Sequence, residues 1–200
     1  MKHLGYYEAD IELVKENVPL FEGVANPFHF VKIKKGGLVL DMGCGVGIDA
    51  IIAKYYAGET GAVVGVDGNL DQISLARAIA KKHDIDVKFR VGDVEAPIEG
   101  FDQFIFDYII SNGAFCLSKG KGEIFDNAFK YLRSGGKMVV CTTVLKNRLE
   151  PGTTDPPGID KIFYIDDIKP LLEEIGFTNV VIDMSASQMK FEICDNEACQ

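Results

Sequence analysis

Val39-Leu40-Asp41-Met42-Gly43-Cys44-Gly45-Val46-Gly47 runs a short apolar segment straight into a glycine-rich turn, and a helical stretch over residues 48–57 follows at once. A buried strand, a turn and a crossover helix in that order are the opening unit of a parallel sheet. Gly43 and Gly45 permit the tight turn and, lacking a Cβ, let a ligand approach the backbone, while the helix behind them points its free N–H groups at negative charge. In open sheets of this kind ligands lie beyond the carboxyl ends of the strands, next to the first one.

Working outward, the same alternation of short apolar runs and helical spacing recurs. Residues 62–66 read as a second strand, 87–91 as a third, 106–111 as a fourth and 137–144 as a fifth. Between them, Asn69 or Asp71 caps a helix running to about Lys82, and residues 122–132 place Ile124, Phe125, Ala128, Phe129 and Leu132 on one side, with Gly135-Gly136 as the stop. A helix over 166–175 ends at Gly176, and residues 179–184 and 189–193 form two last strands that pair as a hairpin. Residues 8–18 form a short amphipathic helix, and residues 146–160, with Pro151, Pro156 and Pro157, form one long loop of the kind that serves as a lid. The expected fold is α/β: a Rossmann-like, doubly wound sheet of about seven strands, mostly parallel with an antiparallel C-terminal strand. It occupies one domain over 1–200, with 1–35 as an N-terminal segment covering the ligand site and 36–200 as the core.

The chain has 200 residues, 47 % of them hydrophobic, with 13 Phe and 7 Tyr, which suffices for one well-filled core and excludes intrinsic disorder. Its 21 Lys and Arg against 30 Asp and Glu give a net charge of -9. Lys34-Lys35 and Lys81-Lys82 are pairs rather than a basic stripe, so nucleic acid is a poor partner and a small or cationic ligand fits better. Five cysteines, at 44, 116, 141, 194 and 199, form no disulfide framework, and the first residues lack the apolar run of a signal peptide or a membrane span. A cytoplasmic location is expected, and no metal cluster.

Asp67 stands twenty residues after Gly47, at the end of the second strand, where a carboxylate accepts hydrogen bonds from both hydroxyls of a ribose. Adenosine cofactors are implied, nicotinamide ones among them. Two details separate the candidates. The glycines are spaced G-x-G-x-G rather than G-x-G-x-x-G, and Asp41 lies two positions ahead of the first. A pyrophosphate is repelled by that carboxylate, whereas a sulfonium and an ammonium are attracted. The pattern favours S-adenosylmethionine over NAD.

At this point the chain resembles the class I S-adenosylmethionine-dependent methyltransferases, from about Gly23 to Val181. Residues 39–47 are similar to the family's first motif and residues 63–67 to its second. Arg90-Val91-Gly92-Asp93-Val94 resembles the third, Ile110-Ser111-Asn112 the fourth, and residues 131–138 the turn before the fifth strand. The resemblance implies S-adenosyl-L-methionine as cofactor, with Asp67 on the ribose, Asp93 on the adenine amino group, the Val94 backbone on a ring nitrogen and Asn112 beside the methionine moiety. The implied cofactor-binding set is Asp41, Gly43, Cys44, Gly45, Asp67, Gly68, Asn69, Gly92, Asp93, Val94 and Asn112.

Methyl transfer is an in-line displacement on an already activated carbon, so alignment and exclusion of water do most of the work, and the sequence names no catalytic residue. Gly23-Val24-Ala25-Asn26-Pro27-Phe28, with Ile110-Ser111-Asn112 and Leu117-Ser118, resembles the arsenite methyltransferase-like branch, which holds its metalloid on several thiolates. Here Gly113 stands where that branch commonly has Cys, the 146–160 loop has none, and Cys116, Cys194 and Cys199 are the remaining candidates. The expected acceptor is therefore another small molecule. Tyr6, Tyr7 and Phe28 are candidate gates of the pocket or simply cover for the core, and His29 is the histidine nearest its mouth. Two other classes stay open: an NAD-linked oxidoreductase, against which Asp41 and Asp93 argue, and a non-catalytic module that binds S-adenosylmethionine.

Overall fold

Five parallel strands form the central sheet of the computed structural model, which describes residues 1–101, 105–148 and 162–184. They are β1 (Leu38–Met42), β2 (Ala62–Asp67), β3 (Lys88–Val91), β4 (Phe106–Asn112) and β5 (Leu132–Cys141), in the order β3-β2-β1-β4-β5. β1 lies between β2 and β4, pairing Leu40 with Val64 on one side and with Ile109 on the other. The chain winds outward from β1 through α2 (Ile48–Ala57) and α3 (Leu70–Lys82), then returns to the far side of β1 as β4. The reversal puts the switch point, and hence a ligand crevice, at the carboxyl ends of β1 and β4.

Burial on both faces explains why β1 reads as a continuous apolar run. Val39 packs into a core with Ile51, Ile52, Val63, Ile73 and Phe89, beneath α2 and α3. Leu40 and Met42 point the other way, toward Ile109, Ile124, Phe125 and Ala128 under α4 (Lys121–Tyr131). The N-terminal segment adds to the first core: α1 (Glu8–Val14) packs on α2, and Tyr56 Oη donates to Asp10 Oδ1 at 2.6 Å. Short 3-10 turns at Lys15–Leu20 and Pro27–His29 then lead into β1.

Three expectations about chain stops and strands are revised. α4 ends at Tyr131, ahead of Gly135-Gly136, because Tyr131 Oη accepts from Ile98 N at 2.6 Å and its carbonyl accepts from Ile105 N at 3.0 Å, which pins the helix end. Leu132 is already extended, and the two glycines fall where the pairing with β4 shifts register between Phe106 and Tyr108. Secondly, β6 (Val144–Leu145) pairs in parallel with β7 (Phe163–Tyr164) apart from the main sheet. Thirdly, residues 179–184 carry no strand, and Val181 is 85 % exposed: β-branched residues make a strand only where a neighbour offers hydrogen bonds and packing. The expected partner at 189–193, the tail cysteines and most of the 146–160 loop lie outside the described residues. Among the described residues the main sheet thus has five strands, all parallel. α5 (Ile165–Ile175) does end at Gly176, in the left-handed region at φ 119° with the Phe129 ring against it. No helix among the described residues is long and apolar enough to cross a membrane.

Candidate functional site

The turn after β1 is built by its own backbone. Gly43 N and Cys44 N both donate to the Val66 carbonyl of β2, at 2.8 and 3.0 Å, and Gly47 N returns to the Cys44 carbonyl at 2.8 Å. Gly43 has φ 74°, and a Cβ there would overlap the Ala114 methyl of the segment after β4, so backbone conformation and space both require glycine. Asp67 completes the loop: Oδ2 accepts from Gly45 N at 2.9 Å and Oδ1 from Asn69 N at 2.8 Å. A carboxylate has about four acceptor positions, so Asp67 keeps room for two further donors. Beyond the exposed Gly68, Asn69 caps α3 by accepting from Asp71 N and Gln72 N at 2.9 and 3.3 Å.

Behind this loop lie two buried carboxylates. Asp41 is 2 % exposed, its Oδ2 has no hydrogen-bond partner, and burial together with the charges of Asp49 and Asp67 holds its carboxyl well above the usual range. Asp49, in the first turn of α2, is pushed up to about 6 by burial, against the pull of its bonds to Tyr6 and Asn112. Asp41, Asp49 and Asp67 make no ion pair among the described residues. Three carboxylates around one glycine turn with no protein cation make a site whose electrostatics call for a cationic ligand.

Asn112, at the end of β4, does something the sequence did not disclose. Its Oδ1 accepts from Val24 N at 2.8 Å and Ala25 N at 3.2 Å. Its Nδ2 faces the Ala25 carbonyl at 2.7 Å, Asp49 Oδ2 at 2.9 Å and Tyr6 Oη at 3.0 Å, three acceptors for two hydrogens. Every hydrogen-bonding position of the amide is thus taken by the protein, and Asn112 anchors the segment 21–26 over the strand ends. Tyr6 Oη in turn donates to Asp49 Oδ1 at 2.6 Å, and burial and Asp49 push its phenol far up. Gly23 passes so close to Asn112 and the Phe21 ring that a Cβ would overlap both.

At the end of β3, Gly92 N donates to the Asp67 carbonyl at 3.0 Å, which sets Asp93 and Val94 beside Asp67. Asp93 is exposed, and its Oδ1 accepts from Glu95 N at 2.9 Å, a turn-forming bond that occupies one of its oxygens. The loop is braced from behind. Glu95 accepts from Gly120 N at 2.9 Å and Lys119 N at 3.1 Å, and the buried Asn127 donates to the Glu95 carbonyl at 2.9 Å. Buried and standing between Phe125 and Ala128, Asn127 was detectable as a polar residue at a core position of α4; Glu95 left no signal.

Of the remaining candidates, Cys44 turns its thiol toward Gly65 of β2, where burial raises it strongly, and so offers the crevice only its backbone. Cys116 Sγ donates to the Gly113 carbonyl at 3.2 Å, while Cys141, at the end of β5, is held protonated, pushed up to about 12 by burial and Asp49. Phe28 is core, tilted against Tyr56 at 5.3 Å; Tyr7 and His29 are exposed. Asp49 is the residue that motif reading passed over. Its signal was an acidic side chain on the first, otherwise apolar turn of α2.

Residues 33–176 match the model of a methyltransferase domain family, and the chain belongs to that family. It is 32 % identical over 90 % of its length to an arsenite methyltransferase of Halobacterium salinarum, and covers 47 % of that protein. It is 29 % identical over 74 % of its length to a sterol 24-C-methyltransferase of Saccharomyces cerevisiae, covering 41 % of it. Among solved structures, an arsenic(III) S-adenosylmethionine methyltransferase from Chlamydomonas reinhardtii superposes with a TM-score of 0.70 at 27 % identity, over 88 % of this chain and 60 % of that one. The chain spans about half the length of the curated relatives it matches.

Proposed function

We propose that the protein transfers a methyl group from S-adenosyl-L-methionine to a small-molecule acceptor. The observation that carries this reading is the unpaired carboxylate set at the glycine turn, with Asp41 Oδ2 buried and without a donor. A cofactor bearing a sulfonium and an ammonium supplies the missing positive charge; a dinucleotide pyrophosphate adds negative charge to it.

In this reading Gly43, Cys44 and Gly45 offer backbone to the methionine end, and Asp41 supplies the field that favours its positive charge. Asp67, flanked by Gly68 and Asn69, takes the two ribose hydroxyls on its free acceptor positions. Gly92, Asp93 and Val94 face the adenine, Asp93 using the oxygen not engaged with Glu95. Asn112 contributes at one remove, by holding residues 21–26 down; residues 1–35 then cover the cofactor and 36–200 form the core of a single domain. The bound cofactor supplies a methyl group on a positively charged sulfur, a carbon already activated for displacement. What remains for the protein is to align the acceptor and exclude water.

The relatives named above act on arsenite and on a sterol, which supports a small acceptor rather than nucleic acid or a membrane. Arsenite itself is a second reading, favoured by the kinship with arsenite methyltransferases. Soft metalloids bind thiolates. Two of the three described thiols are poorly placed for that, since Cys44 faces the core and Cys141 is held protonated, which leaves Cys116 alone. A cytoplasmic location accords with cysteines that form no framework.

A thermal-shift series with S-adenosylmethionine, S-adenosylhomocysteine and NAD tests the cofactor. At about 100 times the dissociation constant a ligand stabilises by roughly 2.7 kcal/mol, a shift of several degrees for a chain of this size. Stabilisation by the two sulfur compounds is expected. Stabilisation by NAD alone overturns the reading, and turnover of labelled methyl groups with arsenite or a small-molecule set then decides the acceptor.

A further inference from the structure

The segment 21–26 is fastened at its two ends with very different strength. At one end Asn112 grips it through Val24 N, Ala25 N and the Ala25 carbonyl, and is itself held by Asp49 and Tyr6. At the other, Phe21 packs edge-on against Tyr6 at 5.4 Å, and beyond it Glu22 Oε2 accepts from Gln72 Nε2 of α3 at 3.4 Å, a single long hydrogen bond near the surface. Between these ends the segment rides over the site: the Glu22 carbonyl lies 3.2 Å from where a Cβ on Gly113 would stand, and Gln72 Oε1 lies 3.3 Å from the corresponding point on Gly45. The Glu22–Gln72 contact therefore spans from the segment after β4 to α3, across the glycine turn.

Resting on the cofactor reading above, we propose that Glu22 and Gln72 are positioning residues that form a clasp over the cofactor crevice. The segment stays anchored on Asn112 and on the packed Phe21 ring while the clasp opens at Glu22, because breaking one long exposed contact is far easier than breaking the three hydrogen bonds by which a half-buried amide holds Val24 and Ala25. Gly23 is the residue that lets the segment seat. With Cβ-free backbone there, it lies against Asn112 and the Phe21 ring with no gap; any side chain at this position lifts it. The clasp sets how quickly the cofactor and its product exchange, and touches neither reacting atom.

The test is the exchange of radiolabelled S-adenosylhomocysteine, followed by rapid filtration on the whole chain. Glu22→Ala and Gln72→Ala each speed both association and dissociation by roughly fivefold, with the dissociation constant within about twofold of the parent, as loss of one hydrogen bond on a gating step requires. The double variant is no faster than either single one, since both remove the same contact. The exchanged pair Glu22→Gln with Gln72→Glu restores an amide facing a carboxylate, and with it slow exchange; a merely structural role shows no such rescue. Unchanged rates in both alanine variants overturn the proposal, as does a faster dissociation with association unaltered, which marks direct ligand contact instead. If the parent chain fails to bind S-adenosylhomocysteine at all, the cofactor reading falls and the clasp with it.

Discussion

Tyr6 Oη lies 2.6 Å from Asp49 Oδ1, joining the first turns of the N-terminal segment to the helix behind the glycine turn across 43 positions of sequence. The bond is buried, and Asn112 Nδ2 reaches the other Asp49 oxygen at 2.9 Å. A helix N-terminus and two donors favour the ionised carboxylate, yet burial outweighs them and leaves Asp49 at about 6. The protein thus keeps, beside its crevice, a carboxylate whose charge is costly.

That cost has a definite pH signature. Well below pH 3.8 Asp49 is protonated in both folded and unfolded chains, and its full contribution to stability is present. As pH rises from 3.8 toward about 6 the unfolded chain ionises first, so stability declines and the loss is complete above the folded value. The rise from 3.8 to about 6 corresponds to on the order of 3 kcal/mol. Urea unfolding at pH 5 and at pH 7.5 should show the parent weaker at the higher pH. Asp49→Asn flattens that decline, leaving the part due to Asp41, which runs in the same direction. An identical slope in the variant assigns the decline elsewhere.

Asp67 serves the loop and, in the proposed function, the ribose. Asp67→Ala removes a charged acceptor for two hydroxyls and also frees Gly45 N and Asn69 N. Two charge-assisted hydrogen bonds contribute roughly 3 kcal/mol or more together, so affinity for S-adenosylhomocysteine should fall by about a hundredfold or more in calorimetric titration. Asp67→Asn sets an NH2 group against either Gly45 N or Asn69 N and removes the charge, so it weakens loop and ribose site together, and a variant that binds as the parent does removes the ribose role.

How far the sequence carries is visible in particular residues. Strand β1, helices α2 and α3 and the Asn69 cap are local: period, capping chemistry and glycine spacing are written in consecutive residues and need no neighbour to be read. The same holds for the glycine turn and for Asp67. Asn112 could be placed at the strand end, but its polar contacts go to residues 63 to 106 positions away, and no local pattern encodes them. Glu95 was invisible for the same reason, whereas Asp49 carried a local signal, an acidic side chain on the apolar first turn of α2, but not its partners Tyr6 and Asn112. Residues 179–184 erred the other way, since Val180-Val181-Ile182 has the composition of a strand but no neighbour among the described residues to pair with.

Asp41 allows the electrostatic argument to be tested separately from the loop's shape. S-adenosylmethionine carries the sulfonium; S-adenosylhomocysteine does not, though both share the ammonium. Asp41→Asn keeps size and the acceptor facing Ala50, and removes the field. Binding of S-adenosylmethionine should weaken several-fold more than that of S-adenosylhomocysteine, about 1 kcal/mol of difference for one charge pair in a partly screened crevice. Equal losses in parallel titrations show that Asp41 acts through the shared ammonium or the turn.

The closest backbone approach in the site supplies a prediction about stability alone. Gly43 at φ 74° faces the Ala114 methyl with no space for a second one. Gly43→Ala incurs two penalties: about 1 kcal/mol for an alanine in the left-handed region, and a further 1–3 kcal/mol for the overlap. The second is removable. Ala114→Gly takes away the opposing methyl, so the double variant Gly43→Ala with Ala114→Gly should recover the overlap part and retain the backbone part, apart from the small price of a new glycine. A double-mutant cycle by urea unfolding reads the coupling directly, and it should be favourable by more than 1 kcal/mol. Additive effects place the strain in the Gly43 backbone alone and leave the segment after β4 free to move away from the turn.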